Sequence, residues 1–248
     1  MSIADAFDQM FWLAALVALV AGSVRGFAGF GAGLMMMGPL SLLYGLPAAV
    51  VSVAVIDGAA SPAMLKGVWS QADRRRAFIA AAAAALFLPF GIYILRSTEP
   101  ELLRRVAGGL VLLFVVLIAL GGSWRGGGAW ATAGAGASGG LIGGATSLIG
   151  PPVILYFLAR RDAPERTRAT LAIYITVVVL TMTAIMAAFE ATAGVAGWAA
   201  WLRALLLAPV YAGGILIGRK LFHLAPPAFY RRVALTLVTT AGLAALFG

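Results

Sequence analysis

Two ionisable side chains stand inside otherwise apolar stretches of this 248-residue chain, and two glycine-rich breaks interrupt such stretches. Arg25 is the one basic residue well inside an apolar segment, and Asp57 is the acid at the centre of the next. Charge at membrane depth is costly and marks a functional hypothesis whose partner must be named. Three readings of Arg25 stay open. Its forked donors bind a substrate anion, it forms a structural ion pair with Asp57, or it reaches a water-filled mouth. Asp57 is either that partner or a proton-coupling carboxylate, because burial favours the neutral form of an acid. Ser61, one turn later, brings a hydroxyl, and Pro62 a kink.

The first break runs from Gly22 to Gly33 and is followed by Gly38 and Pro39. The second runs from Gly134 to Ser147 and closes on Gly150, Pro151 and Pro152. A shift of 112 positions superimposes Gly22 on Gly134, Gly31 on Gly143, Gly38 on Gly150 and Pro39 on Pro151. A helix that starts at such a break exposes unpaired N–H groups, which together with the helix dipole attract anions. Thr146 and Ser147 add hydroxyl donors, while Pro39 and the Pro151–Pro152 pair remove helix donors and enforce a bend. Paired, broken apolar segments in two halves point to a transporter's binding site. The competing reading is close helix packing through small residues, as at Gly22 and Gly26 or Gly136 and Gly140. The expected substrate-binding set is Arg25, Gly26, Phe27, Gly29, Gly31, Gly33, Pro39, Gly140, Gly143, Gly144, Thr146, Ser147 and Pro151. Asp57 is the coupling or ion-pair residue. One histidine (His223) and no cysteine argue against a metal site. No cofactor is expected. Ser147 has no histidine placed as its base, so an enzyme is not expected either.

These residues need elements that hold them at depth. Hydrophobic residues make up 62% of the chain and charged ones 11%, with a mean hydropathy of +0.99. Soluble domains carry about a quarter charged residues, so the chain reads as an integral membrane protein. Its apolar runs are too long for barrel strands of roughly ten residues. The fold class is therefore all-α, a polytopic helical bundle. The net charge of +9 fits basic loops that set topology, and no basic stretch interleaved with aromatics suggests nucleic acid. The N-terminus lacks the basic stretch of a cleaved signal peptide, so the first hydrophobic segment is expected to stay.

Eight apolar segments emerge: Phe11–Tyr44, Pro47–Trp69, Ala77–Leu95, Leu102–Leu120, Ala129–Ala159, Ala169–Ala188, Trp201–Leu221 and Val233–Phe247. The first and fifth would run ~45–50 Å as single helices, beyond a hydrocarbon core of ~30 Å. Eight simple crossings put 11 Lys/Arg on one side and 6 on the other. Re-entrant first and fifth segments change the split to 13 against 4, which the positive-inside rule favours. That choice makes the halves opposite in orientation, with parallel halves the competitor. A second match, Gly91 to Val106 onto Gly218 to Val233 at a shift of 127, extends the duplication. The expected layout is a first membrane repeat over 1–121, a linker over 122–128 and a second repeat over 129–248.

The run Gly26-Phe-Ala-Gly-Phe-Gly-Ala-Gly33 through Leu40, with Gly139-Gly-Leu-Ile-Gly-Gly-Ala-Thr-Ser-Leu-Ile-Gly-Pro-Pro-Val-Ile-Leu-Tyr156, resembles the sulfite exporter TauE/SafE family of small membrane permeases. The resemblance covers nearly the whole length. Ala32 and Ala145 depart from the family's commoner triple-glycine pattern. The resemblance implies a secondary transporter, in the first place an exporter, of a small anion such as sulfite, a sulfonate or another organic acid. Its partners would be that anion and the bilayer, with a second copy of the chain a candidate and no nucleic acid. The cell (inner) membrane would be crossed several times. Alternating access is the expected mechanism, and proton or membrane potential the energy source, since no phosphate-binding nucleotide loop is present. An anion channel and a non-transporting membrane subunit are the alternatives.

Overall fold

The computed structural model describes residues 9–65, 67–97, 127–146, 149–193 and 197–224, with scattered positions in 99–116 and 226–243. The described residues form helices and turns, with no strand among them. In chain order they are α1 (Gln9–Ala28), α2 (Ala32–Tyr44), α3 (Leu46–Ala60), a 3-10 turn (Ser61–Leu65) and α4 (Arg74–Ser97). Then follow α5 (Ala129–Thr146), α6 (Pro151–Ala159), α7 (Pro164–Ala193) and α8 (Trp198–Leu224). Four of these, α1, α4, α7 and α8, are long and apolar enough to cross a membrane. Large apolar side chains line their outer faces, among them Trp12, Leu16, Phe87, Phe90, Leu205 and Leu216. Polar and charged groups such as Arg25, Asp57 and Thr176 are buried inside. This distribution suits lipid as the surrounding solvent. The fourth and eighth apolar segments lie, scattered positions aside, outside the described residues.

The two long segments are each split. Between α1 and α2 the chain turns through Gly29 (φ 82°) and Gly31 (φ 108°). That left-handed region costs other residues roughly 1–2 kcal/mol, so glycine makes the turn cheap. The second split falls between Thr146 and Pro151, where prolines open α6 and lock its first turn. At 13 and 9 residues, α2 and α6 run about 20 and 14 Å, well short of a crossing. The segment expected over Pro47–Trp69 is also shorter as a helix. After Ala60 the chain tightens into the 3-10 turn that carries Pro62, which offers no N–H to continue the ladder.

Close packing fixes the directions of the long helices. Gly22 and Gly26 of α1 lie against the carbonyls of Tyr211 and Ile215, and Gly218 of α8 against that of Ser23, so α1 and α8 run parallel. Gly136, Gly140 and Gly144 of α5 lie against the carbonyls of Ala80, Ala84 and Leu88, so α4 and α5 also run parallel. α3 and α7 are antiparallel: the Thr183 hydroxyl donates to the Ala54 carbonyl (2.7 Å), and the Thr176 hydroxyl lies 3.4 Å from the Ser61 carbonyl oxygen.

One end of the bundle collects basic residues. Arg168, in the second turn of α7, reaches carbonyls at the C-terminal end of α1, and its guanidinium lies 4.3 Å from the ring centre of Phe222 near the end of α8. Nearby, the Asp73 N–H donates to the Thr170 hydroxyl (2.9 Å), joining the start of α4 to α7. Asp73 caps α4, accepting the Arg76 N–H at 3.2 Å, and pairs with the guanidinium groups of Arg76 and Arg166. Burial pushes the Asp73 carboxyl up, but the Arg76 N–H, the Arg76 guanidinium and Arg166 outweigh it and hold the group below its ordinary value. The end that carries Asp73 thus gathers Arg74, Arg75, Arg76, Arg166 and Arg168.

Candidate functional site

Asp57 and Ser61 are four residues apart, so the end of α3 and the first residue of the 3-10 turn present them to the same side. The side chain of Arg25 enters there from α1 and is fully buried. Its Nε donates to Asp57 Oδ1 at 3.2 Å and its Nη2 to Ser61 Oγ at 3.0 Å, while Nη1 donates to the Gly29 carbonyl. Asp57 Oδ1 also accepts from the Ser61 hydroxyl (2.9 Å) and from the Tyr211 phenol (2.7 Å). Tyr211 lies at the centre of α8 and is itself buried. The pair is therefore enclosed by hydrogen bonds from three elements. Such satisfaction is what makes a charge tolerable away from water.

The break itself leaves carbonyl groups at the end of α1 without helical partners. Two arginines answer them. Arg25 takes that of Gly29, and Arg168 takes those of Gly26 (2.6 Å from Nη2) and Phe27 (3.0 Å from Nε). Cations are well placed at a helix C-terminus. In the second half, the buried Tyr174 phenol donates to the Ile149 carbonyl at 3.2 Å, tying that break to α7.

Beside the ion pair lies a narrow cavity of about 30 Å³, room for a water or two. The N-terminal residues of α2 (Gly31 to Leu34) and the stretch leading into α6 (Ile149, Gly150) meet across it. Asp57 is the charged member of its lining; Val53, Ala54, Ile154, Ile175, Val179 and Met182 make an aliphatic wall. Helix starts leave N–H groups without intrahelical acceptors. In α2 those are on Ala32, Gly33 and Leu34, because Met35 already donates to the Gly31 carbonyl. In α6 the first two positions are Pro151 and Pro152, so Val153 is the first helical N–H on offer. The arrangement sets the main-chain donors of a helix start and a carboxylate on the same small cavity.

Of the residues singled out from sequence, the cavity gathers Gly31, Gly33 and Asp57, with Pro151 immediately behind Gly150. Arg25 stands behind Asp57, outside the lining. Gly26, Gly140 and Gly144 sit at helix crossings, and Gly143 lies against Ile149. Gly29 packs on the Arg168 carbonyl. Phe27 packs edge-on against Phe222 (5.9 Å) and Phe229 (6.0 Å). Pro39 is exposed within α2. Ser147 and the Thr146 side chain lie outside the described residues.

Sequence reasoning passed over Tyr211 and Arg168. Tyr211 had a signal: tyrosine belongs at membrane interfaces, and this one interrupts the middle of an apolar helix. Arg168 had none, being one more arginine in a basic loop region.

The profile of the sulfite exporter TauE/SafE family matches residues 14–245. The chain is also similar to a protein of Cupriavidus necator described as a probable sulfite/organosulfonate exporter TauE, with 28% identity over 214 residues, 83% of this chain and 82% of that one. No solved structure matches it. With a profile match that runs from within α1 to almost the last residue, this membrane permease belongs to the sulfite exporter TauE/SafE family.

Proposed function

We propose that this protein is a secondary transporter that exports a small anion, sulfite or an organosulfonate, across the cell (inner) membrane by alternating access. The observation that carries this reading is the meeting of two short, broken-helix N-termini across a buried cavity. The family membership and the name of the Cupriavidus necator relative support the substrate class. Gly31, Gly33 and Gly150 let main-chain donors approach the anion, and Arg25 holds Asp57 and adds positive charge behind it. The cavity has room for a water or two, so an anion of several heavy atoms requires α2 and α6 to draw apart. That need supports a cycle with wider states.

Two repeats of opposite orientation are part of the same proposal. α1 pairs in parallel with α8, and α5 in parallel with α4. Each half thereby lends its first long helix to the other half's third. The C-terminal ends of α1 and α8 lie beside the N-terminal end of α7, and α4 starts at that same end. With α5 parallel to α4, α5 then runs opposite to α1. The short length of α2 and α6 supports a re-entrant placement.

A thermal-shift screen of the purified chain against sulfite, sulfate, thiosulfate, sulfoacetate, taurine and lactate tests the site. Sulfite or sulfoacetate should raise the melting temperature, and Ala54→Val, which intrudes on the cavity, should abolish that rise while leaving the unliganded transition in place. Stabilisation by none of the six compounds would overturn the reading.

A further inference from the structure

Asp57 has one committed oxygen and one uncommitted one. Oδ1 accepts from Arg25, Ser61 and Tyr211, whereas no described group donates to Oδ2. The residue is 2% exposed and lines the cavity. An anion held at the starts of α2 and α6 would therefore face a carboxylate across an aliphatic wall. In that setting the repulsion is poorly screened. We propose that Oδ2 is the binding site of a co-transported proton, one for each anion carried. The inference rests on the anion-transport reading above and adds its coupling ion.

The surroundings select a proton over a metal cation. Hard cations demand six or so oxygen ligands. Here Asp57 shares a cavity lined by Val53, Ile154, Ile175, Val179 and Met182 with the start of α2, whose free N–H groups repel a cation. A proton needs a single lone pair. The charged and titratable groups facing Asp57 are Arg25 from α1 and Tyr211 from α8, and α2, α6 and α7 contribute none to the cavity lining. The step is simple: an O–H bond forms at Oδ2 as one breaks in a hydronium ion on the side where the anion enters, and the proton passes back to a water molecule on the side where the anion leaves. With Oδ2 protonated, the Arg25 charge is no longer balanced by Asp57 and acts on the anion. With Asp57 ionised, it is cancelled. Proton and anion therefore strengthen each other's binding by the same factor.

Methanesulfonate is the probe, because it stays a monoanion throughout the range tested and any pH dependence belongs to the protein. On the full chain in detergent, its affinity should fall about tenfold per pH unit once proton uptake accompanies binding. Asp57→Asn should bind it with no such slope. In vesicles, a methanesulfonate gradient should move protons in the same direction, reported by a trapped pH dye with the potential clamped by valinomycin and potassium. Flux of the pair carries no net charge, so it should not respond to an imposed potential. Methanesulfonate flux without proton movement, or with a full response to potential, overturns the coupling site and leaves the anion reading standing. Failure to bind methanesulfonate and every compound of the screen overturns both. The proton readout needs no variant, so a misfolded Asp57→Asn does not blunt the test.

Discussion

At the scale of single residues, the site is a buried charge pair held by neutral hydrogen-bonding neighbours. Breaking such a pair from one side strands a charge and costs about 3–5 kcal/mol, whereas removing both charges is far milder. Arg25→Gln should therefore lower the melting temperature sharply, and Arg25→Gln with Asp57→Asn should recover most of the loss. A double-mutant cycle read by thermal unfolding in detergent measures the coupling; strictly additive losses would contradict the pair. Tyr211→Phe removes a 2.7 Å bond to the carboxylate, and bonds to charged groups contribute about 1.5–3 kcal/mol. The same assay should show a smaller drop of that order. Arg25 and Asp57 were legible in the sequence because a charge among apolar residues announces itself. Which of them faces the cavity was not, since that depends on how α1 and α3 cross.

At the scale of elements, the start of α4 offers a pH test. Asp73→Ala removes a helix cap worth about 1 kcal/mol and should lower stability at neutral pH. The folded-state carboxyl titrates below its unfolded counterpart, so its contribution is complete above the unfolded value of about 3.9. It disappears as the pH falls through the lower folded value. The variant and the parent should thus converge in stability in that acid range, and a constant gap down to pH 2 would speak against this account. Gly140→Leu tests the crossing of α4 and α5. A Cβ there would sit 2.2 Å from the Ala84 carbonyl oxygen, so the folded yield should collapse. The glycine pattern revealed that both long segments are broken, but not where each helix ends. The glycines superimpose at a shift of 112, whereas the helices end at Ala28 and Thr146, 118 positions apart. Glycine marks close packing and chain reversal alike, and sequence alone does not separate the two.

At the scale of the whole molecule, the positive-inside rule predicts that the basic end of the bundle faces the cytoplasm. The chain has no cysteine, so single cysteines report sidedness without background. An impermeant maleimide added to intact cells should label Trp198→Cys, at the start of α8, and spare Gln71→Cys beside Asp73. The reverse pattern would invert the assignment. Composition and the length of the apolar runs sufficed to read a helical membrane protein, because a charged fraction of 11% is less than half that of an ordinary soluble domain. Partnering of α1 with α8 and α4 with α5 was beyond sequence, since apolar helices offer many equivalent faces and only backbone approach selects among them. The proline pair that opens α6 leaves the two cradles unequal, three helical amides on the α2 side against a first one at Val153. Under the proposed transport cycle, a bound anion is expected to rest off-centre, closer to the α2 side. Loading and unloading will then proceed at different speeds from the two sides, and vesicles sorted by insertion direction will show a kinetic rectifier.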